Sequence, residues 1–300
     1  MGQHYPPSMK LVTKEIEHHL QKNNDLAPIF KIYKKILKVQ LSYLHKIGNI
    51  HNGLSAEEIK NCFRNEKYLL AEKKLEINSD LFMKILSATC KALKEASPAA
   101  PESLLELPGA NVFKNGNLEE FLGAIALFNK QELEDFIRKQ KIDKKIGLDG
   151  EIISFVVFTS LSPFYSAYMR EVNQQVGFTI WRQGYCPICG QTAVMARHRS
   201  ENGARVLGCW LCHAEWVYPR LECPYCHNAE QKKLRFFYVV GDKARQVHVC
   251  EKCKLYLKTV DGKVLEKDVS LEVEALATGY LDVLAREEGY KPPGEAAVLN

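Results

Sequence analysis

Four Cys-x-x-Cys pairs, Cys186/Cys189, Cys209/Cys212, Cys223/Cys226 and Cys250/Cys253, fall within 68 residues and use eight of the ten cysteines of this 300-residue chain. A thiolate pair two residues apart binds one metal from a single tight turn, and two such pairs complete a tetrahedral site. Four pairs therefore predict two sites. The first two pairs enclose 19 residues and the last two 23, room for a hairpin in each, whereas ten residues separate Cys212 from Cys223. Two consecutive ribbons follow, with ligand sets Cys186/Cys189/Cys209/Cys212 and Cys223/Cys226/Cys250/Cys253. An interleaved pairing, first with third and second with fourth, stays open but needs more crossing of the chain. Four cysteines per metal leave no open position for a substrate, which argues against Lewis-acid catalysis. The ligands do not choose the metal, because a tetrahedral sulfur site suits zinc and a single iron alike.

Disulfides would need an oxidising compartment. The opening MGQHYPPSMK has no apolar stretch for export, so a cytoplasmic protein is expected. A redox dithiol uses one such pair rather than four in tandem. Cys62 and Cys90 lie in apolar helical contexts and are expected to be inert, buried thiols. No apolar run reaches membrane-spanning length, and a net charge of +5 does not by itself draw the chain to nucleic acid. P-loop, nucleophile-elbow, H-E-x-x-H and dinucleotide signatures are all absent, so no enzyme is expected.

The chain changes character near residue 180. Before it, apolar residues recur at helical spacing, best over 27–47, where Lys31, Lys34, Lys35 and Lys38 form the opposite, solvated side. Ser55 and Glu58 form a capping box, and Ser79 and Asp80 are candidate caps for a helix over 81–95. Residues 97–108 read as a connector, followed by helices over 118–129, 131–141 and 151–176, the last bent or broken by Pro163. After 180 the pattern turns to strands: 191–198 with 204–208 about Asn202-Gly203, and 234–240 with 244–249 about 241–243. A single helix capped by Ser270 and ending at Gly289 closes the chain. The expected architecture is a multidomain α+β protein. An all-α N-terminal domain (1–180) precedes two tandem rubredoxin-like or zinc-ribbon modules (181–222 and 223–300), the second carrying the C-terminal helix. Each module of about 30 residues is too short to bury an adequate core, so metal must supply the folding energy.

Around the sites, Gly190 and Asn228 are expected to take positive φ behind their knuckles. His213, His227 and His248 stand beside ligands, but with four cysteines per site they are expected to support rather than coordinate. Arg197, His198, Arg199 and Arg205 on one hairpin, and Lys232, Lys233, Arg235, Lys243 and Arg245 on the other, form a basic set of the kind that contacts phosphates. No interleaved aromatics support it, and no nucleic-acid partner is expected.

The block from Gly184-Tyr-Cys-Pro-Ile-Cys-Gly190 through Cys209-Trp-Leu-Cys-His-Ala-Glu-Trp216, Arg220 and Cys223-Pro-Tyr-Cys226 to Cys250-Glu-Lys-Cys253 resembles the formate dehydrogenase accessory protein family, FdhE. The closing stretch to Glu288-Gly289-Tyr290 is similar as well. The resemblance implies a cytoplasmic maturation factor or chaperone, not an enzyme. It would bind the immature catalytic subunit of formate dehydrogenase, insert in no membrane, and carry iron in two rubredoxin-like sites. His227, where a rubredoxin knuckle usually has glycine, departs from that pattern. Glu215, Trp216 and Arg220 stand on the family motif, either as partner-binding residues or as a Glu215–Arg220 pair beside a Trp216 that covers the first metal.

Overall fold

The structure, a computed structural model, describes residues 9–113, 118–119, 121–122, 130–139 and 141–293. Its helical part contains α1 (Met9–Lys22), α2 (Ala27–Ile47), α3 (Ala56–Arg64), α4 (Leu69–Glu72), α5 (Ser79–Ala96), α6 (Lys130–Lys139), α7 (Ile142–Ile146) and α8 (Gly150–Gln175). α2 spans the periodic segment and turns Phe30, Ile36, Leu37 and Leu44 inward. The capping box opens α3: Ser55 Oγ accepts from the Glu58 N–H, and Glu58 Oε2 accepts from the Ser55 N–H at 2.7 Å. The cap of α5 is Asn78 rather than Ser79 or Asp80, its Oδ1 accepting from the Leu81 N–H at 2.8 Å. Asparagine caps as well as serine or aspartate, and here it stands one residue earlier. The connector coils into two short 3₁₀ turns that bury Leu104 and Leu107. Most of the helix expected over 118–129 lies outside the described residues.

Helix α8 is the axis of this half, packing against α2, α5 and α6. It runs through Pro163 as one helix, so the break expected there as one alternative does not form. Proline at 163 leaves the Thr159 carbonyl without its helical donor. The buried side-chain amide of Gln40 on α2 donates to that carbonyl at 3.2 Å, so the helix loses no partner. Gln40→Leu, which orphans it, is expected to cost about 1–3 kcal/mol in denaturant unfolding. By length and composition α8 could cross a bilayer, although no apolar run of that length is expected from the sequence. Yet 89% of that window is buried inside the protein.

The ribbon half forms one six-stranded sheet, ordered β3-β2-β1-β6-β5-β4. The strands are β1 (Met195–His198), β2 (Arg205–Gly208), β3 (Glu215–Val217), β4 (Leu234–Tyr238), β5 (Arg245–Cys250) and β6 (Tyr256–Asp261). Both predicted hairpins form, with His198 opposite Arg205 and Leu234 opposite Cys250. Each gains a third strand that begins just past its last knuckle, and β1 pairs in parallel with β6. The modules are thus not separate ribbons. They share a sheet, which offsets the small core each could build alone.

Past a one-turn α9 (Gly262–Leu265), the closing helix is two: α10 (Leu271–Ala277) and α11 (Gly279–Glu287). Ser270 caps the first as expected, and the break falls at Thr278, whose hydroxyl donates to the Glu274 carbonyl at 2.6 Å. Just past that break Tyr280 is exposed. On the inner side Glu274 is fully buried and binds Arg245 through Nε and NH2 at 2.7 and 2.8 Å, with the His19 ring at 3.0 Å.

Candidate metal centres

Four knuckles share one backbone geometry. The residue after each second cysteine has positive φ: Gly190 at 74°, His213 at 60°, His227 at 53° and Lys254 at 58°. Its N–H donates to the carbonyl of the first cysteine at 3.0, 3.1, 3.0 and 2.8 Å respectively. The first cysteine's N–H donates in turn to the carbonyl of Gln191, Ala214, Asn228 or Leu255. His227 therefore takes the left-handed turn itself, not Asn228. The Asn228 amide instead points at Cys250 Sγ, 3.8 Å away.

These turns gather the sulfurs into the consecutive sets, each with all four Sγ atoms within 4.8 Å of one another. Sulfur separations are 3.3 Å for Cys186–Cys212, 3.5 Å for Cys189–Cys209 and 3.9 Å for Cys189–Cys212. In the second set Cys223–Cys253 is 3.7 Å and Cys226–Cys250 is 3.6 Å. A tetrahedron with metal–sulfur bonds of about 2.3 Å has edges of about 3.8 Å, whereas a disulfide holds its sulfurs at about 2.05 Å. The spacing fits a metal, and these cysteines form no disulfide in the structure.

Electrostatics point the same way. In the first set burial pushes the Cys186, Cys189 and Cys212 thiols up. Burial also opposes ionisation of Cys209, but hydrogen bonds from the other three outweigh it and bring Cys209 well below the thiol range. Four enclosed sulfurs can all be thiolates only around a cation. In the second set burial pushes Cys226 up to about 11. The Tyr165 hydroxyl, buried near Cys189 and Cys212 and without a protein partner, is one more polar group suited to a charged centre. Zinc or iron would fit both sets, and either would cross-link the strands.

The two centres sit in different surroundings. The first is keyed into the helical half: the Leu69 and Leu70 N–H groups, unpaired donors at the start of α4, donate to the Pro187 and Ile188 carbonyls at 3.0 Å. A Cβ on Gly190 would lie 2.8 Å from the Tyr68 ring. With φ already in the left-handed region, Gly190→Ala is expected to cost about 1–3 kcal/mol and to hasten metal loss to a chelator from this site alone. A Cβ on Gly184 would fall 1.7 Å from the Pro224 carbonyl oxygen, so the entry to the first knuckle lies directly on the third.

The histidines beside the ligands are bonded elsewhere. His213 Nδ1 meets Glu272 at 2.9 Å and Nε2 meets Ser162 at 3.2 Å. His227 bonds Glu222 and Tyr218, and His248 bonds Gln246. Trp216 is buried in the same cluster as Cys186 and Cys209, its indole N–H donating to the Gln183 carbonyl at 2.8 Å. Glu215 does not pair with Arg220. It takes a two-pronged bond from Arg197, at 2.6 and 2.5 Å, because β3 lies one strand from β1 in the sheet. Arg220 is exposed and has no hydrogen bond or ion pair among the described residues.

The basic hairpin set also comes apart. Arg197, His198, Arg205 and Arg245 are buried within the sheet and its helices and Arg199 is half-buried, which leaves Lys232, Lys233, Arg235 and Lys243 outside. Aromatics do occur on the second hairpin, where Phe236 and Tyr238 stack with ring centres 6.4 Å apart.

Sequence reasoning missed an apolar cleft of about 310 Å³ between α2, α8, α10 and the second knuckle. Ile29, Phe155, Val194 and Trp210 line it and stay well exposed, and Cys209 and the His213–Glu272 pair line it too. Trp210 stands edge-on to Phe158 at 5.5 Å. A large aromatic between two ligands was the one sequence signal for it.

No family model matches the chain. It is 28% identical to the FdhE homolog of Aquifex aeolicus over 149 residues, 48% of this chain and 51% of that protein. With the FdhE homolog of Stutzerimonas stutzeri it shares 38% over 112 residues, 36% of each chain. The match thus spans about half or less of the length of these two curated relatives. With the Haemophilus ducreyi homolog it shares 23% over 282 residues, 92% of this chain and 84% of that one. The crystal structure of the FdhE protein from Pseudomonas aeruginosa superposes with a TM-score of 0.60 at 18% identity, over 98% of this chain and 96% of that one. This chain is thus similar in sequence to FdhE proteins, in one case along 92% of its length, and shares its fold with one of them over nearly all of it.

Proposed function

We propose that this chain is a non-enzymatic accessory factor that binds the immature catalytic subunit of formate dehydrogenase in the cytoplasm, through the cleft beside the first tetrathiolate. The carrying observation is the cleft itself. It is apolar, and Phe155 and Trp210 are exposed on its walls. Exposed apolar walls rimmed by polar residues mark partner sites. All three proposed units contribute: α2 and α8 from the helical unit (1–180), the second knuckle from the first module (181–222), and α10 from the second (223–300). The eight cysteines, Cys186, Cys189, Cys209, Cys212, Cys223, Cys226, Cys250 and Cys253, would hold two iron or zinc ions and fix those walls. Trp216 is buried and supports the first module rather than touching the partner, whereas Glu215, held by Arg197, also lines the cleft.

The test is capture of the newly made catalytic subunit by tagged protein. Ile29→Asp and Phe155→Asp should each reduce capture at least tenfold with both metals retained. Leu221→Asp, at an exposed position outside the cleft, should not. Undiminished capture by the cleft variants would remove the cleft from the account.

A further inference from the structure

The turn that carries Cys209 and Cys212 forms one wall of the cleft: every residue from Gly208 to Ala214 except Cys212 lines it. No residue of the second cysteine set does. The turn is wedged between two helices. Trp210 stands edge-on to Phe158 of α8 at 5.5 Å, and a Cβ on Gly208 would lie 2.5 Å from Leu271, the first residue of α10. His213, which follows the last ligand, ties both sides together through a side chain only 8% exposed. Its Nε2 meets Ser162 Oγ of α8 at 3.2 Å, and its Nδ1 meets Glu272 of α10 at 2.9 Å. Ser270 Oγ donates to the other Glu272 oxygen at 2.9 Å, which fixes the far end of the link. The residues in the same place on the second centre reach elsewhere. His227 bonds Glu222 and Tyr218, and Lys254 bonds Glu251, none of which lines the cleft.

The ligand turn decides where the His213 ring stands. The His213 N–H donates to the Cys209 carbonyl at 3.1 Å, and φ is 60°, a left-handed value that a residue with a side chain keeps only where its surroundings impose it. Four enclosed sulfurs stay together as thiolates only around a cation, so the turn, and with it the ring, depends on an ion at the first centre. We infer that His213 couples the first metal centre, and not the second, to the cleft. A filled first centre holds the walls on α8 and α10 in place, and a partner seated between them holds the turn closed on its ion. The inference rests on the reading of the cleft as the partner site and adds what regulates it. Such coupling is reciprocal: the factor by which the ion raises partner affinity is the factor by which the partner raises retention of the ion.

The test follows release of metal to EDTA from the full natively purified chain, alone and in complex with the newly made catalytic subunit of formate dehydrogenase. Two phases are expected. Cys186→Ser with Cys212→Ser, which keeps only the second ion, identifies which phase belongs to the first centre. The bound subunit should slow that phase at least tenfold and leave the other unmoved. His213→Asn keeps the left-handed turn, which asparagine tolerates, but is too short to bond both helices. It should retain both ions, abolish the slowing and weaken capture at least tenfold. Ser162→Ala and Glu272→Gln each cut one link without touching the turn, and each should reduce the slowing. A merely structural role for His213 would not make the effect selective for one ion. Equal slowing of both phases, slowing of neither, or undiminished slowing in His213→Asn would overturn the coupling and leave the cleft standing. A wild-type chain that captures no subunit would instead fail the cleft reading itself, which capture alone reports.

Discussion

Stripping both metals from the chain, or replacing Cys209 and Cys250 together by serine, is expected to unfold the sheet from β1 to α11. The loss should be on the order of 10 kcal/mol per site, the scale on which structural metal contributes to folding. The apolar clusters on the outer part of the sheet are small: Val247, Val249, Tyr256, Leu281, Ala285 and Tyr290 in one, Met195, Val260, Val269 and Leu271 in another. Such clusters cannot by themselves offset the ordering of a sheet whose buried residues include Arg197, Arg205 and Arg245. Amide exchange of the metal-free protein should show β1–β6 unprotected. The core of α2, α5 and α8, built from residues such as Leu86, Phe158 and Leu161, should keep most of its protection. Full protection of the sheet without metal would contradict this account.

Glu274→Ala should be the most damaging single change away from the cysteines. It removes the carboxylate shared by Arg245 and His19, and leaves a buried guanidinium whose other partner, Asp242, is 3.2 Å away and partly exposed. Breaking a buried pair from one side costs about 3–5 kcal/mol. That corresponds to a fall in melting temperature on the order of 10 °C for a chain of this size. Glu274→Ala with Arg245→Met should recover much of the loss, because the uncompensated charge is gone. A double variant no more stable than the single would contradict the assignment. The pair also sets an acid limit. Burial opposes ionisation of Glu274, but its bonds to His19 and Arg245 outweigh burial and hold the carboxyl below its ordinary value of 4.5. A depressed carboxylate stabilises the fold above the unfolded value, and that stability is lost as pH falls through the folded one.

Knuckles and long helices were legible because their signals are local. The Cys-x-x-Cys spacing is a turn, the 27–47 stripe is a helix face, and Asn202-Gly203 is a hairpin. What escaped depended on distant partners. Nothing near Pro163 announces that Gln40, more than a hundred residues earlier, supplies the missing donor. Glu215 and Arg220 are close in sequence and invite pairing, but the sheet register delivers Arg197 instead. The hairpin residues form a basic set of the kind that contacts phosphates, yet Arg197, Arg205 and Arg245 are buried in the sheet joined by the parallel β1–β6 pairing. That pairing joins the two modules, and three-residue β3 is too short to carry a pattern of its own. The cleft is built from four separated stretches of chain, so only the assembled fold displays it.

Paired cysteine variants, with metal content measured after native purification, test the central claim that two consecutive tetrathiolates organise this half of the chain. Wild-type protein should carry two ions per chain. Cys186→Ser with Cys212→Ser should retain one, because both sulfurs belong to the first set, whereas Cys186→Ser with Cys226→Ser should retain none. A wild-type chain without metal would contradict the account. So would a Cys186/Cys212 double variant that loses both ions.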